Sequence, residues 1–473
     1  MILLSLARSI WYDPLRKIHR MSRICDVIHL RWVTLLILIP LCTKELLISQ
    51  CDIIKNNYQF PLTYFMSDFF QIPTWPLLAS ALALLVPLGL VMLIAEDRER
   101  PQVAGVIFLA GILASIVGYA ATGFAIHFGG IGILIDHPDV TTLVWEWTPL
   151  KEGDLALWGV AGWMGFGLSG VQTNLAAILF LSAIPALIST VILILSILRQ
   201  RSSLLGSVIF ASIFALLLAP LVGNWIQGGG WLMHLGQSMG AGDGYLDFGG
   251  ASFFLLVGGA ALAALLARRP KNSNTMQSLD AATPALGLGL ILVGSAGWLL
   301  ASPLHLWGGS SPGQGVLSGL LAMAAGGIIG LAYSWFIMGE PDSLWISRSA
   351  VAGWVAVLAV IPWTEFWQAM LIGAVAAWLY IIFAWITRVG LSWRDPGDGF
   401  GTFGLPAIWG LLAVGILAPA PGQMRAQAIG IISIFLLAFF PTSLYFLVGQ
   451  LFSSSSKQPI TPSLQNQENM QEE

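Results

Sequence analysis

Charged side chains are scarce in this sequence. Only 10% of its 473 residues are Asp, Glu, Lys or Arg, whereas 56% are hydrophobic. A soluble protein of this length needs more charge on its surface, and long apolar runs recur along the whole chain. The composition therefore predicts an all-α polytopic membrane protein. The net charge of −3 says little about nucleic acid, but the sequence has no basic patch beyond the N-terminal segment, so we expect no nucleic-acid partner.

Cysteine and histidine are too few and too scattered for a metal or haem centre. The three cysteines, Cys25, Cys42 and Cys51, lie near the N-terminus without metal-ligand spacing. A disulfide between Cys42 and Cys51 is compatible with the sequence if both residues face outward. None of the six histidines falls in the middle of a predicted span. We therefore expect no cofactor, no metal site and no enzymatic acid–base cluster.

The apolar runs predict one N-terminal hydrophobic segment at about 32–49 and eleven further spans. To within a few residues, these core spans are 74–95, 103–125, 172–198, 203–225, 247–267, 282–304, 317–338, 347–363, 366–388, 402–420 and 425–451. Lys and Arg concentrate in one alternate set of loops, and the positive-inside rule places that set in the cytoplasm. The core then begins outside the membrane and ends in the cytoplasm.

The chain divides into three regions. Residues 1–60 form a basic N-terminal segment that is either a cleaved signal sequence or a retained anchor helix, and we favour the anchor. Residues 61–451 form the membrane domain, and the Ser/Gln/Glu-rich residues 452–473 form a disordered cytoplasmic tail. In the long outer segment 126–171, Trp158–Trp163 is predicted to be a short helix on the outer face.

Two segments in corresponding places of the two halves open their spans in the same way. One begins at Asp247 and the other at Asp398, and each continues with Phe, Gly and further small residues. A pair of Gly/Pro-interrupted spans at matching positions points to a transporter's central site. Charged residues are otherwise nearly absent from the spans, which argues against a proton pump based on buried carboxylates.

Several short motifs carry a family resemblance. The stretch Asp247–Gly250 is similar to the D-F-A-G-G that opens the fifth core helix of the ammonium transporter (Amt/Rh/Mep) family. The stretch Asp395–Gly410 is similar to the family's opening of the tenth core helix, and Gly339–Pro341 resembles its G-K-P turn. The resemblance covers about residues 74–451, with further motifs in order at Gly118-Tyr119, Gly228–Gly230 and Gly297-Trp298.

The resemblance implies a fold of eleven helices built on a 5+5 inverted repeat. It also implies a homotrimer in which each protomer has its own narrow hydrophobic pore. Asp247, which has a conformational and recruitment role in the family, is kept, and Asp398 stands at the corresponding start of the tenth helix. The family's pore also contains two hydrogen-bonded histidines, and here their positions align with Leu255 and Phe403.

The other pore positions of the family also differ in this chain. The two gating phenylalanines align with about Ala186 and Ala301, the vestibule tryptophan aligns with Gln227, and a vestibule serine aligns roughly with His305. Imidazole can relay a proton near neutral pH, whereas Leu and Phe cannot. We therefore expect a dry, constricted lumen at the level of Leu255 and Phe403.

Two functions follow from these expectations. The first is a channel or transporter in the plasma (inner) membrane that passes ammonia, ammonium or another small solute. The alternative is a non-conducting relative that acts as a sensor or as a structural subunit of a membrane assembly. In that case the protein would have a cytoplasmic regulatory partner or a partner in the membrane.

Overall fold

The computed structural model of the protein describes residues 75–94, 101–149, 158–267, 282–302, 311–393 and 395–455. The predictions for residues 1–60, for the tail beyond residue 455 and for His305 fall outside the described residues. Within the described ranges, nine apolar helices are long enough to cross a membrane, and two shorter apolar helices accompany them. The prediction of an all-α polytopic membrane protein is confirmed.

We number these helices α1 to α11 in chain order. They are α1 (Trp75–Ile94), α2 (Phe108–Leu134), α3 (Asn174–Arg199), α4 (Leu204–Gln227), α5 (Ala251–Leu266), α6 (Ala282–Ala301), α7 (Pro312–Met338), α8 (Ser343–Leu358), α9 (Phe366–Gly390), α10 (Pro396–Leu417) and α11 (Gln423–Ser455). Each overlaps one of the eleven core spans predicted from the sequence, and the helix that leads into α2 begins at Pro101. A short helix, Leu235–Met239, lies between α4 and α5.

Polar caps fix the start of several helices. The carboxylate of Asp342 accepts the backbone N–H of Leu344 at 2.7 Å at the start of α8. Glu365 and Gln368 form a capping box at the start of α9, in which each side chain accepts a backbone N–H of the other residue. Such caps satisfy backbone donors that the first helical turn leaves unpaired.

Five helices contain π-helical segments, in which the chain is locally wider than in an α-helix. In α2 and α4 these segments face each other, because Thr122 Oγ1 donates a hydrogen bond of 2.9 Å to the carbonyl of Leu216. Segments of this kind are frequent at functional sites. They are Tyr119–Gly123, Phe214–Leu218, Ser334–Met338, Ile386–Gly390 and Phe400–Gly404.

Small residues bring neighbouring helices close together. A Cβ added to Gly353 of α8 or to Gly373 of α9 would meet the carbonyl oxygen of Ala322 on α7. Close backbone approach of this kind is a principal source of helix association in membranes. The three helices α7, α8 and α9 therefore pack as one tight group.

One predicted helix is wrong. The segment Trp158–Trp163 contains strand β2 (Ala161–Gly162), which pairs antiparallel with strand β1 (Glu146–Trp147). Glycines at positions 159 and 162 disfavour a helix, and the backbone groups are satisfied by the facing strand instead. The outer segment is therefore held together by a two-stranded antiparallel sheet.

The end of α2 also differs from the prediction. The helix continues past residue 125 to Leu134, so His127 lies inside the helix and is fully buried. Its Nδ1 shares a hydrogen bond of 3.0 Å with the Tyr119 hydroxyl, and its ring stacks on Phe128. The sequence places His127 in the outer segment because the apolar run weakens at the glycines that follow.

Candidate functional site

The segment that begins at Asp247 caps the N-terminus of α5. The carboxylate of Asp247 is buried and accepts the backbone N–H groups of Gly250, Ala251 and Ser252 at 3.0, 2.9 and 2.7 Å. A negative charge at this position also complements the positive end of the helix dipole. Gly250 has a φ of +79°, a backbone conformation that glycine adopts without strain. The capping role explains why an aspartate followed by glycines begins this span.

Neighbouring helices hold the same segment through its backbone. Trp298 Nε1 of α6 donates to the Gly249 carbonyl at 2.8 Å, and the hydroxyl of Ser302 donates to the Phe248 carbonyl at 3.0 Å. The N–H of Gly249 donates to the carbonyl of Leu358, the last residue of α8, at 2.9 Å. The start of α5 is therefore fixed between α6 and α8.

In the segment that leads into α10, the capping aspartate is Asp395. Its carboxylate accepts the N–H groups of Phe400 and Gly401, both at 2.9 Å. The sequence pattern matches Asp398 to Asp247. In the structure, however, it is Asp395 that caps α10 in the way that Asp247 caps α5. The three-residue offset arises because a single 3-10 turn, Pro396–Asp398, precedes the π-helical start of α10.

Asp398 instead forms a buried ionic cluster. Its carboxylate pairs with both Arg348 of α8 and Arg388 of α9. Arg348 is fully buried and also donates from Nη2 to the carbonyl of Leu93 in α1 at 2.9 Å. The guanidinium of Arg388 lies 5.0 Å from the ring centroid of Trp345, within cation–π range. One carboxylate thus joins three helices, and Arg348 extends the cluster to a fourth.

The helices α5 and α10 enter the bundle from opposite ends. Along α8, Arg348 contacts Asp398 and Leu358 contacts Gly249. Ten residues of helix separate these two contacts by about 15 Å. The two helices pass each other at glycines: a Cβ on Gly258 would meet the Cα of Gly404. The backbones of α5 and α10 therefore cross in close contact.

An aromatic cluster lies beside this crossing. We use that name for Phe254, Trp298, Trp354 and Phe403. The ring of Phe254 stacks on Phe403, with centroids 5.7 Å apart and planes 15° apart, and also on Trp298 at 5.7 Å. Trp354 meets Phe254 and Trp298 edge-on at 5.6 and 5.5 Å. Both geometries are favourable for aromatic pairs, so the cluster closes the space between α5, α6, α8 and α10.

Leu255 and Phe403 both lie in the packed interior. Leu255 is 0% exposed and Phe403 is 1% exposed, and both belong to the same continuous hydrophobic core. Neither side chain carries a nitrogen or oxygen that could accept a proton. At these two positions the protein interior is closely packed and apolar.

A small cavity lies among α1, α3, α4, α5 and α6, at the end of the bundle that carries Asp247. Its volume is about 20 Å³, which is enough for about one water-sized molecule. Ala186 and Gln227 both line it, so the predicted gate and vestibule positions are brought together here. Six of its lining residues are Ser182, Ala186, Gln227, Gly249, Trp298 and Ser302.

The polar groups of this cavity are neutral. The hydroxyl of Ser302 donates to the Phe248 carbonyl, and the hydroxyl of Ser182 donates to the Leu179 carbonyl at 2.9 Å. Because their protons are used in these bonds, the hydroxyl oxygens are left to act as acceptors. Among the described residues that line the cavity none is charged. The cavity suits a small neutral molecule that donates hydrogen bonds.

The remaining predicted positions are less central. Ala301 is buried at 3% exposure, but it is not among the residues that line the cavity. Leu255 comes four residues after the first residue of α5, which places it about 6 Å deeper along the helix axis. Leu255 therefore lies deeper in the bundle than the cavity at the start of α5.

The sequence prediction missed most of the aromatic cluster and the role of Arg348. Contacts between rings on different helices leave no local pattern in the sequence. Arg348 does leave one, because it is a lone cation in the apolar stretch that becomes α8. An arginine inside a span is expensive unless it has a partner, so its presence indicates a buried carboxylate such as Asp398.

Together these features define a class of protein. Apolar helices, two capped helix starts that enter from opposite ends, and a small cavity next to a packed apolar interior are typical of a membrane channel or transporter. Within that class, the chain belongs to the Ammonium Transporter Family, whose sequence profile matches residues 74–454.

Two relatives illustrate the sequence similarity. The ammonium transporter Amt2 of Archaeoglobus fulgidus is 25% identical over 403 residues, which cover 81% of this chain and 77% of Amt2. A putative ammonium transporter of Synechocystis is 26% identical over 419 residues, which cover 83% of this chain and 85% of that protein.

Solved structures are similar in fold. A protein described as Sensor Amt Protein matches with a TM-score of 0.65 and 19% identity over 80% of this chain and 92% of its own. The Mep2 protein of Candida albicans matches with a TM-score of 0.63 and 18% identity, covering 80% of this chain and 84% of its own. At these identities the likeness establishes the fold.

Proposed function

We propose that the protein passes ammonia, or another neutral solute of similar size, through a hydrophobic pathway within each protomer. The observation that carries this proposal is the cavity of about 20 Å³ that opens directly before the apolar level of Leu255 and Phe403. A site of this size admits a molecule as small as water or ammonia. Membership of the Ammonium Transporter Family supports the same conclusion.

The apolar constriction favours ammonia over ammonium. Moving a bare cation from water into an apolar environment is very unfavourable unless the charge is paired. Leu255 and Phe403 supply neither a counter-charge nor a proton acceptor. Ammonium therefore releases its proton into the solution on the entry side, neutral ammonia crosses, and it takes up a proton from the solution on the exit side.

Passage requires a transient movement of rings. Phe254 lies between Trp298 and Phe403 in the aromatic cluster, so a solute that leaves the cavity meets stacked rings. The rotation of a buried ring opens a gap without moving the helices, whose backbones are fixed by the Gly258–Gly404 crossing. The flux is then set by how often these rings move.

The same stack of rings favours a second function. A lumen that stays closed would make the protein a non-conducting sensor or a structural subunit of a membrane assembly. In that case the cavity would bind its ligand without passing it on. The fold match to the Sensor Amt Protein agrees with either function, because the fold is shared.

We also propose the assembly and orientation that the family implies. These are a homotrimer in the plasma membrane, with α1 beginning outside, the C-terminus in the cytoplasm, and α1–α5 related to α6–α10 as inverted repeats. The opposite entry of α5 and α10 supports the repeat. Arg199 and Arg201, where α3 ends and the loop to α4 begins, support the orientation by the positive-inside rule.

Proteoliposomes test the transport proposal. An ammonium gradient is applied in a stopped-flow instrument, and a trapped pH dye records internal alkalinisation. The proposal predicts a faster rise in pH than in protein-free liposomes of the same lipid, because bare lipid sets the background rate. Equal rates in the two preparations would exclude transport and favour the non-conducting alternative.

A further inference from the structure

Two buried polar groups near the aromatic cluster have no partner in the protein. The indole Nε1–H of Trp354 in α8 and the hydroxyl of Ser318 in α7 form no hydrogen bond with any residue that the structure describes. Both residues are 0% exposed. An unpaired buried donor or acceptor costs free energy, so a native interior normally supplies a partner for it.

Two other indoles of the bundle show the usual arrangement. Trp298 Nε1 donates to the Gly249 carbonyl at 2.8 Å, and Trp409 Nε1 donates to the carbonyl of Ile372 at 3.2 Å. Trp354 is more deeply buried than Trp298, with 0% against 7% exposure. Its unpaired N–H is therefore an exception that points to a bound molecule.

A glycine leaves room next to this N–H. A Cβ built on Gly319 of α7 would lie 4.0 Å from Trp354 Nε1, and it would lie 2.7 Å from the tip of the Leu299 side chain of α6. Ser318 immediately precedes Gly319. The room therefore lies where α6, α7 and α8 meet. Because its surroundings are buried, it suits a molecule of only a few atoms.

This place is next to the proposed pathway. Trp354 meets Phe254 and Trp298 edge-on at 5.6 and 5.5 Å, and Trp298 also lines the cavity. Along α8, Trp354 comes four residues before Leu358, which places it about 6 Å farther from the end of the bundle that carries Asp247. A molecule held by Trp354 would therefore be separated from the cavity by the ring of Trp298.

We propose that the Trp354 indole N–H and the Ser318 hydroxyl bind one small neutral molecule that carries a lone pair, namely ammonia or water. An indole nitrogen can only donate, so its ligand must accept. The lone pair of ammonia accepts from Trp354, and an ammonia N–H donates to Ser318 Oγ. Water uses its oxygen and an O–H in the same way. The site is separate from the cavity, which neither residue lines.

The donor character of Trp354 makes the site selective for ammonia over ammonium. The ammonium nitrogen uses all four of its valences for N–H bonds, so it has no lone pair that could accept from the indole. Neither Trp354 nor Ser318 carries a charge that could pair with a cation, and an unpaired cation is very unfavourable in an apolar interior. The site therefore holds the neutral form of the solute.

The inference rests on the proposed function only in naming ammonia. If the protein does not conduct, the same two groups still bind a small molecule behind the aromatic cluster. Binding at Trp354 and flux through the protein are separate measurements, so either can fail while the other holds. Flux equal to that of empty liposomes, with ammonia binding intact, would remove the transport function and leave the site.

Nuclear magnetic resonance of the purified full-length protein, isotope-labelled at its indole nitrogens, tests the site. Ammonium chloride is added at constant pH, sodium chloride holds the ionic strength, and the indole N–H signals are followed. Trp354→Phe identifies the Trp354 signal, and Trp409 is the internal control because its N–H is already paired. Gly319→Ala puts a methyl group into the room beside the indole. Gly313→Ala makes the same change in α7 at a position where the added Cβ meets nothing within 4 Å.

We expect the Trp354 signal to shift in a saturable way and the Trp409 signal to stay in place. Gly319→Ala and Ser318→Ala should raise the concentration at half of the shift at least about tenfold, whereas Gly313→Ala should leave it unchanged. Because ammonia is the ligand, that concentration of total ammonium should fall about tenfold for each unit of rising pH while ammonium is the main form.

The remaining outcomes distinguish water from an empty site. If ammonia causes no shift but the Trp354 N–H shows a direct contact with the protons of a bound water, the site exists and water occupies it. A Trp354 signal that neither shifts with ammonia nor contacts water would overturn the proposal. A shift that follows the concentration of ammonium instead of ammonia would also overturn it.

Discussion

The ring of Phe254 lies parallel to the ring of Phe403, with centroids 5.7 Å apart and planes 15° apart. This contact joins α5 to α10 at the level where the two helices cross. Because Phe403 is 1% exposed and Leu255 is 0% exposed, the same level is closed and apolar. The proposed pathway therefore has a small polar cavity on one side and a gate of stacked rings at its centre.

Removing one ring of the stack should open the pathway. We expect Phe403→Ala to raise ammonia flux about tenfold, which corresponds to a barrier lower by about 1.4 kcal/mol. The same change should cost about 3 kcal/mol of folding stability, because a buried ring is lost. Stopped-flow alkalinisation of proteoliposomes measures the flux, and thermal unfolding in detergent measures the stability.

Phe400→Ala is the control for this experiment. Phe400 is also buried in the π-helical segment of α10, but it packs against Phe383 and Phe435 instead of Phe254. It should lose similar stability without a gain in flux. If Phe400→Ala opens the pathway as much as Phe403→Ala does, the stacked pair is not the gate.

Filling the cavity should block transport. Ala186→Leu adds three carbon atoms to a space of about 20 Å³, and overpacking of this kind leaves no room for a solute. We expect the flux to fall to that of protein-free liposomes. Ala177→Leu makes the same change at an exposed position of α3 and should leave the flux unchanged. Normal flux in Ala186→Leu would place the pathway elsewhere.

The two arginines of the ionic cluster should differ in importance for stability. Arg348 is fully buried, so Arg348→Leu breaks a buried pair with Asp398, a change that typically costs about 3–5 kcal/mol. The side chain of Arg388 is 33% exposed, and water partly replaces its contribution, so Arg388→Leu should cost only about 1 kcal/mol. Thermal unfolding of the two variants in the same detergent decides the order, and equal losses would contradict it.

The sequence predicts where the helices lie better than it predicts which residues they contact. Runs of apolar residues locate all eleven core helices to within a few residues at most ends, because the bilayer demands them. The outer segment is less well predicted: Trp158–Trp163 contains a strand instead of a helix, and α2 extends to include His127. Those features depend on pairing with Glu146–Trp147 and on packing, neither of which leaves a local pattern.

The sequence predicts the candidate site only in part, because contacts between distant residues leave no local pattern. Two segments that begin with an aspartate predict where α5 and α10 start. In the structure these two helices cross each other. Which aspartate caps α10 could not be read from the sequence, since Asp395 and Asp398 are both followed closely by glycines. The buried arginine of α8 decides the matter, because it attracts Asp398 and leaves Asp395 to the helix backbone.

Electrical recording from the proteoliposomes tests the central claim most directly. An ammonium pulse is applied to proteoliposomes on a solid-supported membrane, and the parallel stopped-flow assay confirms that ammonia is entering. Because Leu255 and Phe403 provide no proton relay, we predict alkalinisation faster than in empty liposomes and no ammonium-evoked current. A current that grows with ammonium concentration and disappears in Ala186→Leu would contradict the account, since it would show that charge crosses the same pathway.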